Sequence, residues 1–229
     1  MRINKLLSNY GYCSRKTANV WILEKRIHIN GILAFPGQWV EEVDHILLDM
    51  EKLTKKKPIY IAFHKPPGII CTREETVAEN IISYLHLPYY IFPVGRLDKE
   101  SEGLILLTND GDWANEILSS ENIHEKEYLV TVDKNLTKQF LDHLSEGVDI
   151  NIGITRPCTV EQVSEDTFKI ILTQGLNRQI RRMCRASGYE VIRLKRLRIL
   201  TVTGADLPQG EWRELKKHEL DSLAQLLRA

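Results

Sequence analysis

Between Gly103 and Asn109 the chain reads GLILLTN, four consecutive large aliphatic residues closed by glycine on one side and by Asn-Asp-Gly on the other. A run this short is no helix, and without polar alternation it suits a strand buried in a core. Such a strand needs partners. Strand-like runs recur at Tyr60–Phe63, Tyr128–Val132, Phe168–Leu172 and Val191–Leu194, and helical spacings at Val77–Leu85, Trp113–Leu118, Thr137–Leu144 and Arg178–Ser187. Strands and helices are interspersed without a strict βαβ period. Residues 58–229 are therefore expected to form an α+β unit, a mixed and mainly antiparallel sheet flanked by helices.

A smaller unit precedes it over residues 1–50. Ile3, Leu6, Leu7 and Tyr10 sit at helical spacing, and Gly11 ends that helix. Ser14 suits the N-cap of a second helix, with Ala18, Trp21 and Ile22 inward and Arg15 and Lys16 in its first turn. Cations there oppose the helix dipole, which suggests that they serve phosphate contact. Asn30-Gly31 within IHINGILA is a type I′ hairpin signal. A turn through Asp44 leads to a strand ending at Leu48. The stretch EKLTKKK, residues 51–57, is charged, poor in apolar side chains, and reads as a linker.

With 43% hydrophobic and 27% charged residues the chain has material for a real core, so disorder over most of its length is excluded. Cys13, Cys71, Cys158 and Cys184 form no CxxC or CxxH pair. No metal site is expected, and the scattered thiols suit a reducing, cytoplasmic compartment. MRINKLLSNYG lacks a signal-peptide apolar stretch, and no run approaches the ~20 apolar residues of a membrane span. The net charge is zero but unevenly spread. Residues 1–30 carry six cations against Glu24, and residues 176–198 carry eight against Glu190. Net charges of +5 and +7 leave −12 elsewhere. Two basic segments in an acidic remainder are expected to form a polyanion-binding surface.

Four segments carry candidate chemistry. In VGRLDKESEGLILLTNDGD, Asp98 lies in a loop just ahead of the buried strand, where a scaffold can hold it. Arg96 and Lys99 are its sequence neighbours, and nearby cations keep a carboxylate ionised, as a nucleophile or general base requires. In QGLNRQIRRMCRASGYEV, Gly175 and Asn177 turn into a helix. Arg178, Arg181, Arg182 and Arg185 follow at i, i+3, i+4 and i+7, a face that needs carboxylates or phosphates to answer it. Tyr128 opens a strand and can present its ring to a base. Lys65 stands before a rigid Pro66-Pro67-Gly68 bend and suits phosphate contact.

Taken together, these segments resemble the RsuA/RluB/RluE/RluF family of bacterial rRNA pseudouridine synthases, over essentially the whole chain. GYCSRKTANVWILEKRIHING resembles an S4 RNA-binding domain. KPPG at 65–68, GRLDKESEGLILLTNDG at 95–111, KEYLV at 126–130, GLNRQIRRM at 175–183 and LPQGEWREL at 207–215 resemble the catalytic domain. The spellings KEYLVTVDK and GLNRQIRRM are nearest the RluF type, which modifies large-subunit rRNA. The resemblance implies that Asp98 is the catalytic aspartate, that Tyr128 stacks near the target base, that Arg181 pairs with the aspartate, and that Leu194 packs the pocket floor. The basic segments and turns add expected RNA contacts from Arg2, Lys5, Arg15, Lys16 and Arg26 in the first unit, and from Lys65, Arg96, Asn177, Arg178, Gln179 and Arg182 in the second. His64 and Leu176 depart from the family pattern, where asparagine and a basic residue are common; the second departure leaves the choice of target open.

The implied enzyme is a cytoplasmic monomer acting on large-subunit rRNA, with small-subunit rRNA or tRNA the alternative, and needing no cofactor. Rival readings lack their signatures. An S4 methyltransferase needs a Gly-rich cofactor loop, a synthetase fragment needs nucleotide motifs, and a non-catalytic S4 protein would have lost Asp98, Tyr128 or Arg181.

Overall fold

The computed structural model describes residues 1–74, 76–119 and 123–228. The first unit comprises α1 (Ile3–Asn9), α2 (Arg15–Leu23), β1 (Ile27–Ile29), β2 (Ile32–Leu33), β3 (Ile46–Leu48) and β4 (Glu51–Lys52). Its strands form an antiparallel sheet in the order β2-β1-β3-β4. Ile3, Leu6, Leu7, Ala18, Ile22, Ile27 and Ile46 fill the core between helices and sheet. The Ser14 hydroxyl accepts from the Thr17 N–H at 2.9 Å, the expected cap. Asn30 and Gly31 both have positive φ, 51° and 83°, as the type I′ turn demands.

The linker expectation is corrected at its start. Glu51 and Lys52 pair with β3, and Leu53 is buried in the first core. Ladder pairing uses backbone groups alone, so two exposed charged side chains can form an edge strand. The units touch directly beyond it. Lys5 and Asn9 of α1 reach Asp112 at 3.0 and 2.9 Å, and the Lys56 ammonium stacks on the Tyr12 ring at 4.4 Å.

The second unit comprises β5 (Tyr60–Lys65), α3 (Ile81–Leu85), β6 (Phe92–Val94), β7 (Glu102–Thr108), α4 (Gly111–Leu118), β8 (Lys126–Val132), α5 (Lys138–Glu146), β9 (Thr159–Gln162), β10 (Thr167–Leu172), α6 (Gln179–Ala186), β11 (Val191–Ile199), β12 (Val202–Thr203), β13 (Trp212–Glu214) and α7 (Lys217–Arg228). The sheet runs β13-β5-β7-β11-β8-β10-β9, with β6 beside β7 and β12 beside β11. Its described pairings are antiparallel except β7 with β11, which is parallel. The α+β expectation is thus met. β7 is buried throughout because its alternate residues feed two cores: Leu104 and Leu106 pack with Ala62, Ile117 and Leu223, while Ile105 and Leu107 pack with Phe63, Ile81 and Ile91. A strand covered on both faces cannot alternate apolar with polar residues.

Two helix expectations shift at their N-termini. The segment expected from Val77 becomes helical only at Ile81, because Asn80 caps it. Its side-chain oxygen accepts from the N–H groups of Ile82 and Ser83 at 2.9 and 2.8 Å, and its backbone is extended. Arg178 precedes α6 as a cap residue in the left-handed region, φ 51°, so the four arginines do not share one continuous helix face. No described helix is long and apolar enough to cross a membrane.

Candidate active site

Asp98 lies in the turn between β6 and β7, closed by the Ser101 N–H donating to the Asp98 carbonyl at 3.1 Å. Its side chain is 28% exposed, at a cleft of about 430 Å³. One carboxylate oxygen faces Arg178 Nη1 at 3.6 Å and Arg181 Nε at 3.7 Å, charge contacts just beyond hydrogen-bond reach. Arg181 is held from elsewhere: Nη1 donates to the Val191 carbonyl at 3.0 Å and Nη2 to the Ser101 hydroxyl at 3.4 Å. Arg178 also meets Glu100 at 3.3 Å. The cations expected from sequence adjacency are corrected. Arg96 lines the cleft but forms no ion pair with Asp98, and Lys99 offers its carbonyl to Gly68 rather than its charge to Asp98. The guanidiniums come instead from about 80 residues downstream, because α6 packs over the sheet beside the β7 turn.

Tyr128 and Leu194 line the same cleft. Within the sheet, Tyr128 stands opposite Arg196, and Val130 opposite Leu194. All four side chains project to the face covered by α6, since alternate residues of a strand share a face. Among the described residues, six cations (Arg96, Lys126, Arg156, Arg178, Arg181 and Arg196) and a single carboxylate, Asp98, line the cleft. Three buried donors there have no hydrogen-bond partner among the described residues: Arg181 Nε, Arg196 Nη2 and Gln174 Nε2. A second groove of about 480 Å³ adjoins it, lined by Arg178, Arg181, Arg182 and Arg185 with Asp149 and Glu190. Arg185 is answered by Glu190 at 3.0 Å, and Arg182 by the Asn177 carbonyl at 3.0 Å.

Two expected RNA contacts, Lys65 and Gln179, are corrected by burial. Lys65 is fully buried, and its ammonium donates to the carbonyls of Pro66, Ile69 and Lys99 at 2.9, 2.8 and 3.3 Å. Burial holds its pKa below the ordinary lysine range. Gln179 is buried, accepting from the Leu176 N–H at 3.0 Å. Lys5 is engaged with Asp112, and Arg26 forms a two-pronged pair with Asp49 at 2.9 and 2.6 Å. Arg2, Arg15, Lys16, Arg96 and Asn177 stay exposed. Of the two departures, His64 is buried against the Leu207 carbonyl at 2.7 Å, away from Asp98, and Leu176 sits at the cleft lip.

Residues 59–186 match the RNA pseudouridylate synthase family, and residues 1–46 match the S4 domain. The chain belongs to the RNA pseudouridylate synthase family. It is 43% identical to the dual-specificity RNA pseudouridine synthase RluF of Escherichia coli K12, across 99% of this chain and 79% of that one. It is 32% identical to the ribosomal large subunit pseudouridine synthase B of Bacillus subtilis, across 98% and 96%. A crystal structure of a pseudouridylate synthase superposes with TM-score 0.71 at 28% identity, covering 97% of this chain and 99% of that one. In this chain the turn before β7, strand β8 and helix α6 bring Asp98, Tyr128 and Arg181 to one cleft from three distant segments.

Lining residues missed in the sequence reading are Lys126, Arg156, Gln174 and Arg196. A signal existed for Arg196. In VIRLKRLRI it stands two residues after Leu194, hence on the same face of the strand. Gln174 and Arg156 lie on loops, where no periodicity assigns a direction.

Proposed function

We propose that this synthase isomerises a uridine of large-subunit rRNA, with Asp98 as its catalytic carboxylate. The observation that carries this is Asp98 at the mouth of a strongly basic cleft, facing an Arg181 locked by Val191 and Ser101. Pseudouridine formation breaks the N1–C1′ bond, turns the uracil and joins C5 to C1′; the C5 proton is lost and N1 gains one. The target leaves its stack to enter the cleft, at a cost of about a few kcal/mol. Stacking on Tyr128 returns roughly 1–3 kcal/mol. Asp98 then acts on the ribose side, either attacking C1′ or removing the C2′ proton, with the Arg181 guanidinium beside it.

The rRNA target is supported by the name of the relative from B. subtilis. The words "dual-specificity" favour a second RNA substrate beside it, of which tRNA is the candidate. The reading includes a monomer in the cytoplasm. The exposed Arg15 and Lys16 at the head of α2, to which no described carboxylate pairs, would grip phosphates away from the cleft. The Asp98→Asn variant is expected to fold and bind RNA yet form no pseudouridine by chemical labelling and primer extension. Wild-type activity in that variant removes Asp98 from its role.

A further inference from the structure

Arg196 is 3% exposed, and burying a guanidinium without a counter-ion is unfavourable. No described carboxylate pairs with it. Nε donates to the Leu104 carbonyl at 2.7 Å, while Nη2 has no partner. The acidic neighbours are committed elsewhere: Glu102 to Arg193 at 2.5 Å and Gln209 at 3.1 Å, Glu127 and Glu125 to Arg198 at 3.0 and 2.9 Å, and Asp98 to Arg178 and Arg181. A second cation deepens the imbalance. Lys126 lines the same cleft and has its pKa depressed by burial and then by Arg196 itself.

The local fold is built to place this group. Arg196 pairs in parallel register with Gly103, the residue five beyond Asp98. A Cβ on Gly103 would lie 2.3 Å from the Arg196 carbonyl oxygen, so only glycine permits this approach. The close strand pairing sets Arg196 so that its guanidinium reaches the Leu104 carbonyl. On its other side Arg196 stands opposite Tyr128. The cleft thus has two charged ends. Asp98 and Arg181 neutralise one another on the ribose side, and an unanswered cation lies beside the ring expected to hold the base.

We propose that Arg196 stabilises the negative charge that uracil acquires when the N1–C1′ bond breaks. Heterolysis leaves the bonding pair on N1, and the charge spreads over O2 and O4 of the detached ring. Bound uridine is neutral, so Arg196 interacts more strongly with the departing base than with the substrate, which is the condition for accelerating the step. Arg181 differs in facing Asp98, with both terminal nitrogens held by Val191 and Ser101. The proposal rests on the reading of the cleft as the uridine site.

The test compares two leaving groups in single-turnover reactions of the full chain. The substrate RNA carries either uridine or 5-fluorouridine at the target position, the fluorinated uracil being the more stable anion. Arg196→Gln is expected to lose about 10²–10³-fold on uridine, the range for removing one preorganised donor, and at least about tenfold less on 5-fluorouridine. Arg196→Lys keeps the charge and is expected to retain more of the uridine rate than Arg196→Gln. A purely structural role lowers both substrates equally, and equal losses overturn the proposal, as does a uridine rate unchanged in Arg196→Gln. Should Arg196→Gln fail to fold by circular dichroism, Arg196→Met, which also removes the charge, is measured on both substrates and decides in the same way. Retained activity in Asp98→Asn would count against the underlying reading rather than against Arg196.

Discussion

Replacing Lys65 by methionine separates a phosphate contact from an internal staple. The ammonium serves three carbonyls, but they would not suffer equally. Lys99 also accepts from the Gly68 N–H at 2.7 Å and stays satisfied. The Pro66 and Ile69 carbonyls have no other described donor. Each orphaned acceptor costs about 1–3 kcal/mol. Methionine also removes a buried charge, which offsets part of the loss. A net destabilisation of about 2–4 kcal/mol follows, corresponding to a Tm lower by roughly 5–15 °C for a chain of this size. Urea denaturation measures the stability, and RNA affinity between low and high salt measures the phosphate contacts. The staple predicts reduced stability with an unchanged salt slope. A variant as stable as the parent, with a slope smaller by about 1, would restore Lys65 as a phosphate contact and refute the reasoning.

Arg15→Ala combined with Lys16→Ala is expected to weaken RNA binding and lower the salt slope by up to about 2, because both side chains are exposed and without a carboxylate partner; a slope equal to the parent's places their charges away from RNA. Gly103→Ala forces a Cβ against the Arg196 backbone at φ +105°, and should cost at least about 2 kcal/mol in denaturant titration together with most of the activity; a change below about 0.5 kcal/mol would show that β7 and β11 part easily. Glu219 accepts from Arg213 at 2.6 and 2.7 Å and from the Lys216 N–H at 2.8 Å. The Arg213 hydrogen bonds are the main cause holding its pKa below the ordinary 4.5. This stabilisation is complete above that value and is lost as pH falls through the lower folded pKa. Glu219→Gln should therefore cost about 1.5–3 kcal/mol at pH 7, with the gap to the parent closing in strong acid; a gap independent of pH removes the ionised pair as its cause.

Much of the architecture was legible because its cause is local. The unbroken LILL run announced β7, Ser14 and Gly11 marked the helix boundaries of the first unit, and Asn30-Gly31 announced the hairpin. Asp98, Tyr128 and Arg181 were recognisable as motifs by resemblance, though not as neighbours. The pairing of charges was misread because sequence adjacency is a poor guide to it. Arg96 and Lys99 sit beside Asp98 in the chain, yet the turn directs them elsewhere while α6 delivers Arg178 and Arg181. Lys65 and Gln179 carry polar heads that a sequence reader assigns to the surface. Their burial depends on carbonyls and N–H groups offered by the folded loops.

Thus the order of polar and apolar residues determined which segments became strands and helices, since local periodicity acts before any distant contact. Tertiary structure decided which charge meets which partner, because electrostatic pairing depends on separation in space. The open guanidinium of Arg196 belongs to that second class: only sheet registration brings it beside a glycine, across from Tyr128, and beyond the reach of every described carboxylate.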